Sequence, residues 1–331
     1  MENTVDKNEE ILFLVQVVVA MVIWTFLTVV TQGWILLFVP VFFLSTLFAR
    51  SGLISHLRAT GAVVSARQFP DLYKIHQECC RKLAIEPEPE LILIHADGIF
   101  NALAVRFLSR HYVVLYSDIV DAMADYKGAI AFYIGHELGH IRRNHMLWGP
   151  LLAPAMLVPL LAPAYRRAQG YTCDLHGLYC CGAPDAAVKA LSALAVGARR
   201  WKDMDVAAFA AQGELTRGFW MSYHEYIGSD PWLVKRIMRV RAGGDAAVLP
   251  RRNIFAAALA LFDLRLLMLV CVIYTALHAD RKIFPVVYDL LHHSTKVHLD
   301  PETGRRLNAD GLPYEEDGTS EDDEEEDEEE E

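Results

Sequence analysis

Two histidines separated by three residues, with a glutamate directly after the first, stand at His136-Glu137-Leu138-Gly139-His140. In a helix, residues four apart lie one turn apart on the same face. Two neutral imidazoles placed in this way can share one Zn²⁺. Glu137 falls about 100° further round the helix, beside the metal rather than bound to it. There a carboxylate can take a proton from water and later hand it to a leaving amine. Gly139, having no side chain, leaves room for a close neighbour. The run also arises by chance, and the bland alternative is a pair of satisfied histidines on a half-buried helix. Its context favours chemistry. Ile130, Ile134, Leu138 and Ile141 form an apolar stripe at helical spacing, predicting a helix over about 126–145 with Asp125 as its cap.

A catalytic zinc needs a third protein ligand. The pattern HExxHxxGxxH would require glycine at position 143 and histidine at 146, where the chain has Arg143 and Met146. His145 falls off the ligand face. The third ligand is therefore sought on a later helix, within 165–174.

The elements that must position these groups start with membrane-like sequence. Residues 11–49 are almost unbroken apolar sequence without a charge, about twice the length one bilayer crossing needs. Thr31-Gln32-Gly33 interrupts the run. Two crossings joined as a hairpin are expected, at about 11–30 and 34–50. An acidic start (Glu2, Asp6, Glu9, Glu10) and the length of the run argue against a cleaved signal peptide. Arg50, Arg58 and Arg67 follow the second crossing, which puts that side in the cytoplasm. Residues 71–86 read as an amphipathic helix and Leu91–Ile94 as a strand. Residues 101–107 and 111–116 read as a hairpin, and 118–124 as a further helix. The charge-free stretch 146–164 carries Pro150, Pro154, Pro159 and Pro163, so a kinked or re-entrant pair of short helices competes with a clean crossing. Residues 253–279 are apolar but contain Asp263 and Arg265, and a span there competes with a protein-packed helix.

Charge excludes one class of partner. Residues 315–331 hold 14 of the 42 acidic residues, and the rest of the chain is close to balance. No basic stripe interleaved with aromatics appears, so no nucleic-acid partner is expected. The acidic tail is expected to be disordered. The six cysteines, Cys79, Cys80, Cys173, Cys180, Cys181 and Cys271, lack a disulfide framework or a CxxC pair and read as idle reduced thiols. His224 and Glu225 read as a solvated helix face.

Taken together, the motifs resemble the membrane-embedded zinc peptidases that include the heat-shock protease HtpX and the CAAX prenyl proteases. The resemblance runs from the N-terminal hairpin to about residue 242. Beside the His136–His140 run, Asn101-Ala102-Leu103-Ala104 resembles the family's edge-strand segment, which lies along the substrate backbone. Residues 165–174 resemble its helix in which a glutamate ligand is followed four residues later by an aspartate. Pro231-Trp232-Leu233-Val234-Lys235-Arg236-Ile237 resembles its His-Pro and Lys-Arg-Ile segment. The resemblance implies that Asp174 orients a zinc histidine. Two positions depart from the pattern. The ligand glutamate falls at Gly170, and the histidine before the proline is Asp230. Gly170 leaves three possibilities: Asp174 itself binds zinc; His176, Glu225 or His224 supplies a ligand; or zinc binding is weakened in a non-proteolytic relative.

The expected architecture is mainly α with a small antiparallel sheet. A hairpin at 1–50 precedes a metallopeptidase domain at 51–245 with its apolar insert at 146–164. An apolar helical region at 246–298 and the acidic tail at 299–331 follow. Expected site residues are Glu137 as general base, His136, His140 and Asp174 at Zn²⁺, and Asn101 and Ala102 at a polypeptide substrate. By resemblance the substrates are membrane proteins, the role is quality control, and the place is the inner (plasma) membrane with the catalytic domain facing the cytoplasm. The alternative is a polypeptide-binding membrane adaptor.

Overall fold

The computed structural model describes residues 4–95, 102–293, 298–299 and 306–307. Asn101, the Asp97-Gly98 turn and the acidic tail lie outside the described residues. The chain divides into two compact units, 1–276 and 277–331.

In the first unit, α1 (Lys7–Val30) and α2 (Ile35–Thr60) form the expected hairpin. Both are long and apolar enough to cross a membrane, as is the segment Ile254–His278. Large apolar side chains on α2 face outward, Phe38 at 65% and Phe48 at 69% exposure, as lipid-facing residues do. The last turns of α2 do other work. Ile54 and Leu57 pack with Ile92, Val105, Tyr112 and Val114 on one face of a sheet.

That sheet contains β1 (Ala62–Val63), then β2 (Glu90–Ile94) after α3 (Pro70–Leu83), and the hairpin of β3 (Ala102–Phe107) and β4 (Arg110–Tyr116). Its order is β1-β2-β4-β3. The small sheet was expected to be antiparallel. It is mixed, because β2 pairs with β4 in parallel, Ile92 opposite Val114. The hairpin enters from its far strand, so the returning strand fits beside β2, and β3 is left at the edge. Alternation then divides the side chains. Val114 and Ile92 face α2, whereas Leu91, Val113 and Leu115 join the main core.

The core is built on α5 (Lys127–Arg142), which follows α4 (Ser117–Ala122). The predicted stripe is buried, with Ile130, Ile134, Leu138 and Ile141 each at 5% exposure or less. Asp125 does not cap the helix; Tyr126 holds that position without a side-chain hydrogen bond. After α5 the proline-rich stretch breaks as expected. It gives α6 (Gly149–Leu152) and a 3-10 turn at Ala153–Leu157 before α7 (Leu161–Cys181). Rather than crossing a membrane by itself, it packs along α1: Trp24 Nε1 donates to the Leu151 carbonyl at 2.9 Å, and Leu152 and Ala155 cluster with Ala20.

Helices α5 and α7 touch through glycines. A Cβ on Gly135 would stand 2.6 Å from Cys180 Cβ and 3.0 Å from Gly177 Cα. One on Gly139 would meet Cys173 Cα at 3.1 Å, and one on Gly177 would meet the Phe132 carbonyl oxygen at 2.7 Å. Three absent side chains thus let the two backbones come together. The unit is completed by α8 (Pro184–Arg200), α9 (Val206–Ala211), α10 (Phe219–Ile227), α11 (Leu233–Arg241), α12 (Ile254–Ala260) and the start of α13 (Leu264–His293). Asp263 and Arg265, the charges that set a span against a packed helix, pair with each other at 2.5 Å. In the second unit, β5 (His298–Leu299) pairs antiparallel with β6 (Arg306–Leu307).

The glycine contacts give a direct test. Gly135→Ala is expected to lower stability by about 1–3 kcal/mol, the usual cost of overpacking. Gly52→Ala, inside α2 where a new methyl would meet nothing within 4 Å, is expected to stabilise by about 0.5–1 kcal/mol through helix propensity. Thermal unfolding in detergent compares the two.

Candidate metal centre

His136 and His140 project from one face of α5, as the four-residue spacing requires, with ring centroids 5.5 Å apart. Each has its Nδ1 engaged. His136 Nδ1 lies 2.9 Å from Asp174 Oδ1, and a carboxylate only accepts, so His136 carries its proton on Nδ1. A longer chain fixes His140. His145 Nε2 lies 3.1 Å from Glu9 Oε1, and His145 Nδ1 lies 2.9 Å from His140 Nδ1. Glu9 must accept from His145 Nε2–H, which leaves Nδ1 of a neutral His145 to accept from His140 Nδ1–H. His136 is thereby assigned the tautomer with a free Nε2 lone pair, the form that binds a metal, and a neutral His145 gives His140 the same one.

Asp174 has a second partner. Arg236 on α11 grips it with two hydrogen bonds, Nε to Oδ2 at 2.8 Å and Nη2 to Oδ1 at 2.6 Å. Burial pushes this carboxyl up, but the guanidinium and the His136 hydrogen bond outweigh it and hold the pKa at about 2. Asp174 therefore stays ionised between His136 and Arg236. Its two oxygens are occupied by His136 and Arg236.

Glu137 points to the sheet. It is buried, and α5 packs there against edge strand β3. Burial raises its pKa, while His136, the Ala104 backbone and Arg236 act against that rise. Burial likewise depresses the pKa of His140, with His136, His145 and Arg236 adding to the effect. Ala102 opens β3 opposite Leu115 and is buried at 8% exposure.

The other proposed ligands stand elsewhere. Glu225 was read as part of a solvated face, and this is corrected: it is 4% exposed and pairs with Lys235, itself 2% exposed, at 2.6 Å. Its helix turns inward because Lys235 and Arg252 face it. His224 is exposed. His176 bonds the Thr172 carbonyl through Nδ1 at 2.8 Å. Gly170 faces Pro231, whose ring carbons would lie 3.1 and 3.2 Å from a Cβ placed there.

A cysteine completes the donor group. One ligand atom each from His136, His140 and Cys173 can be chosen so that all lie within 4.8 Å of one another. Two imidazoles with free Nε2 atoms and a thiol form a donor set suited to zinc, so the residues fit the metal that the motif implies. Cys173 was set aside with the idle thiols. The available signal was its place one residue before Asp174 on the ligand helix, opposite Gly139. Arg236, Glu9 and His145 were also missed as supports, since their contacts cross 62, 134 and 136 residues of sequence.

The N-terminal helix thus reaches the centre directly. Glu9 accepts from Arg143 Nε at 3.0 Å as well as from His145. Asp6 receives Arg239 Nη1 at 2.6 Å, and its N–H donates to Thr172 Oγ1 at 3.0 Å.

Comparison with known proteins agrees with this chemistry. Residues 66–157 match the family model described as Peptidase family M48, which supports a metallopeptidase of that family. The matched stretch includes β2–β4 and the His136–His140 run and ends before α7. No curated protein and no solved structure matches the chain.

Two outcomes follow. Glu9→Gln, which loosens His145 one contact beyond His140, is expected to weaken zinc binding by up to about 10-fold, the lower end of the cost of losing a direct partner of a ligand histidine. Glu10→Gln, at an exposed neighbour, leaves binding unchanged. Competition with a chelating zinc indicator measures both. Glu225→Ala strands the buried Lys235 ammonium and is expected to cost about 3–5 kcal/mol, read as a lowered urea midpoint.

Proposed function

We propose that the chain is a membrane-anchored zinc endopeptidase of the HtpX and CAAX-protease type, acting on polypeptides at the membrane surface. The observation that carries this reading is the packing of α5, with His136, Glu137 and His140 on it, against edge strand β3. His136, His140 and a third donor on α7 would hold the metal, and zinc supplies Lewis acidity that lets peptide hydrolysis run at neutral pH.

The chain's own residues do the rest. Glu137 takes a proton from the attacking water on its carboxylate and delivers it to the departing amine nitrogen. Asp174 and Arg236 keep His136 in one tautomer and one orientation. An extended substrate adds to the free side of β3, so that backbone hydrogen bonds hold it next to Glu137 with little sequence preference. Asn101 and Ala102 stand at the entrance of that strand in sequence. Glu9 lies two residues before Ile11, where the uncharged run of α1 begins, so the centre sits close to a membrane boundary. This placement suits membrane proteins as substrates and quality control as the role. The arginines after α2 favour the cytoplasmic face of the inner (plasma) membrane.

The departure at Gly170 favours a second reading, an adaptor that holds polypeptides without cutting them. One assay separates them. With the full chain in detergent and casein as probe, the wild type is expected to cleave, to lose activity to a chelator and to regain it with zinc. Glu137→Gln is expected to fall by about 100- to 10,000-fold with unchanged zinc content. A zinc-loaded wild type that binds casein and cuts nothing would make the adaptor the correct reading.

A further inference from the structure

We propose that Cys173 is the third protein ligand of the metal, so that the centre is of the His₂Cys type; this rests on the metal-centre reading above. The glutamate expected on α7 has no side chain to offer at Gly170, and the position is closed: Pro231 packs against it, 3.1 Å from where a Cβ would stand. A ligand must come from another place on α7. One turn along, Asp174 has both oxygens taken by His136 and Arg236. Next to it, Cys173 lies on the side of α7 that meets α5, and its Sγ would be 3.2 Å from a Cβ on Gly139. Gly139 lies between Glu137 and His140, so the thiol projects into the turn that carries the histidines. Its ligand atom falls within 4.8 Å of theirs.

The neighbours leave this sulfur available. Its recorded hydrogen-bond-range contact is His145 Nδ1 at 3.9 Å, a nitrogen already serving His140 at 2.9 Å. On metal binding the thiol gives its proton to solvent and the thiolate closes the set. A thiolate beside two imidazoles selects zinc over magnesium or calcium, which prefer oxygen. It also explains how a chain can keep Glu137, the tautomer-fixing contacts and the edge strand after losing the usual glutamate: ligation has moved three residues along one helix.

X-ray absorption at the zinc edge tests this on the full wild-type chain in detergent, without requiring any variant to fold. One sulfur neighbour at about 2.3 Å is expected beside nitrogen neighbours at about 2.0–2.1 Å. Cobalt(II) loading is expected to give a thiolate charge-transfer band in the near ultraviolet. Cys173→Ser should lose that band and bind metal more than about 100-fold less tightly, beyond the loss of an outer partner. Cys180→Ser should retain it. Zinc bound through nitrogen and oxygen alone would overturn the assignment of Cys173 while leaving the metallopeptidase reading in place. A folded wild type that takes up no zinc would overturn both.

Discussion

The close crossing of α5 and α7 carries the rest of the molecule. Gly135, Gly139 and Gly177 remove the side chains that would hold the helices apart, and interhelical distance depends on the residues at the contact. That approach brings Asp174 to His136 and puts Cys173 beside the turn between Glu137 and His140. An ordinary side chain at this seam would push the two helices, and the donors they carry, further apart. The glycine in the middle of the HExxH run is therefore a structural requirement as well as a spacer.

Charge organises the second layer. Buried carboxylates are costly unless paired, and four of those around the centre have a cation or a histidine proton: Asp174 with Arg236, Glu9 with Arg143 and His145, Asp6 with Arg239, Glu225 with Lys235. Two of these tie the first turn of α1 to α5 and α11. A membrane-type helix is thus part of the centre's support rather than a simple tether. The acidic N-terminus, which argued against a signal peptide, turns out to be the part of that helix that docks.

The sheet adds a direction. Since β3 is an edge strand packed against α5, the strand edge and the helix that carries Glu137 lie side by side. The mixed topology produces this: if β3 rather than β4 paired with β2, the edge beside Glu137 would be filled. The match to Peptidase family M48 over residues 66–157 spans β2–β4 of this sheet and α5. The α7 residues that distinguish the centre lie beyond it.

Local pattern was enough for much of this. Helical periodicity placed α5 and its buried stripe, apolar length placed the α1–α2 hairpin, alternation placed the β3–β4 hairpin, and prolines predicted the break after α5. The spacing of His136, Glu137 and His140 put all three on neighbouring turns of one helix, which α5 bears out. Contacts between distant segments could not be read in this way. The parallel pairing of β2 with β4, the inward turn of Glu225, the Glu9–His145–His140 chain and the approach of Cys173 each depend on two elements meeting in space. Sequence by itself determined which residues could bind a metal and move a proton. Only the tertiary structure decided which donor on α7 faces the two histidines, because a residue's side of a buried helix is set by what packs against it.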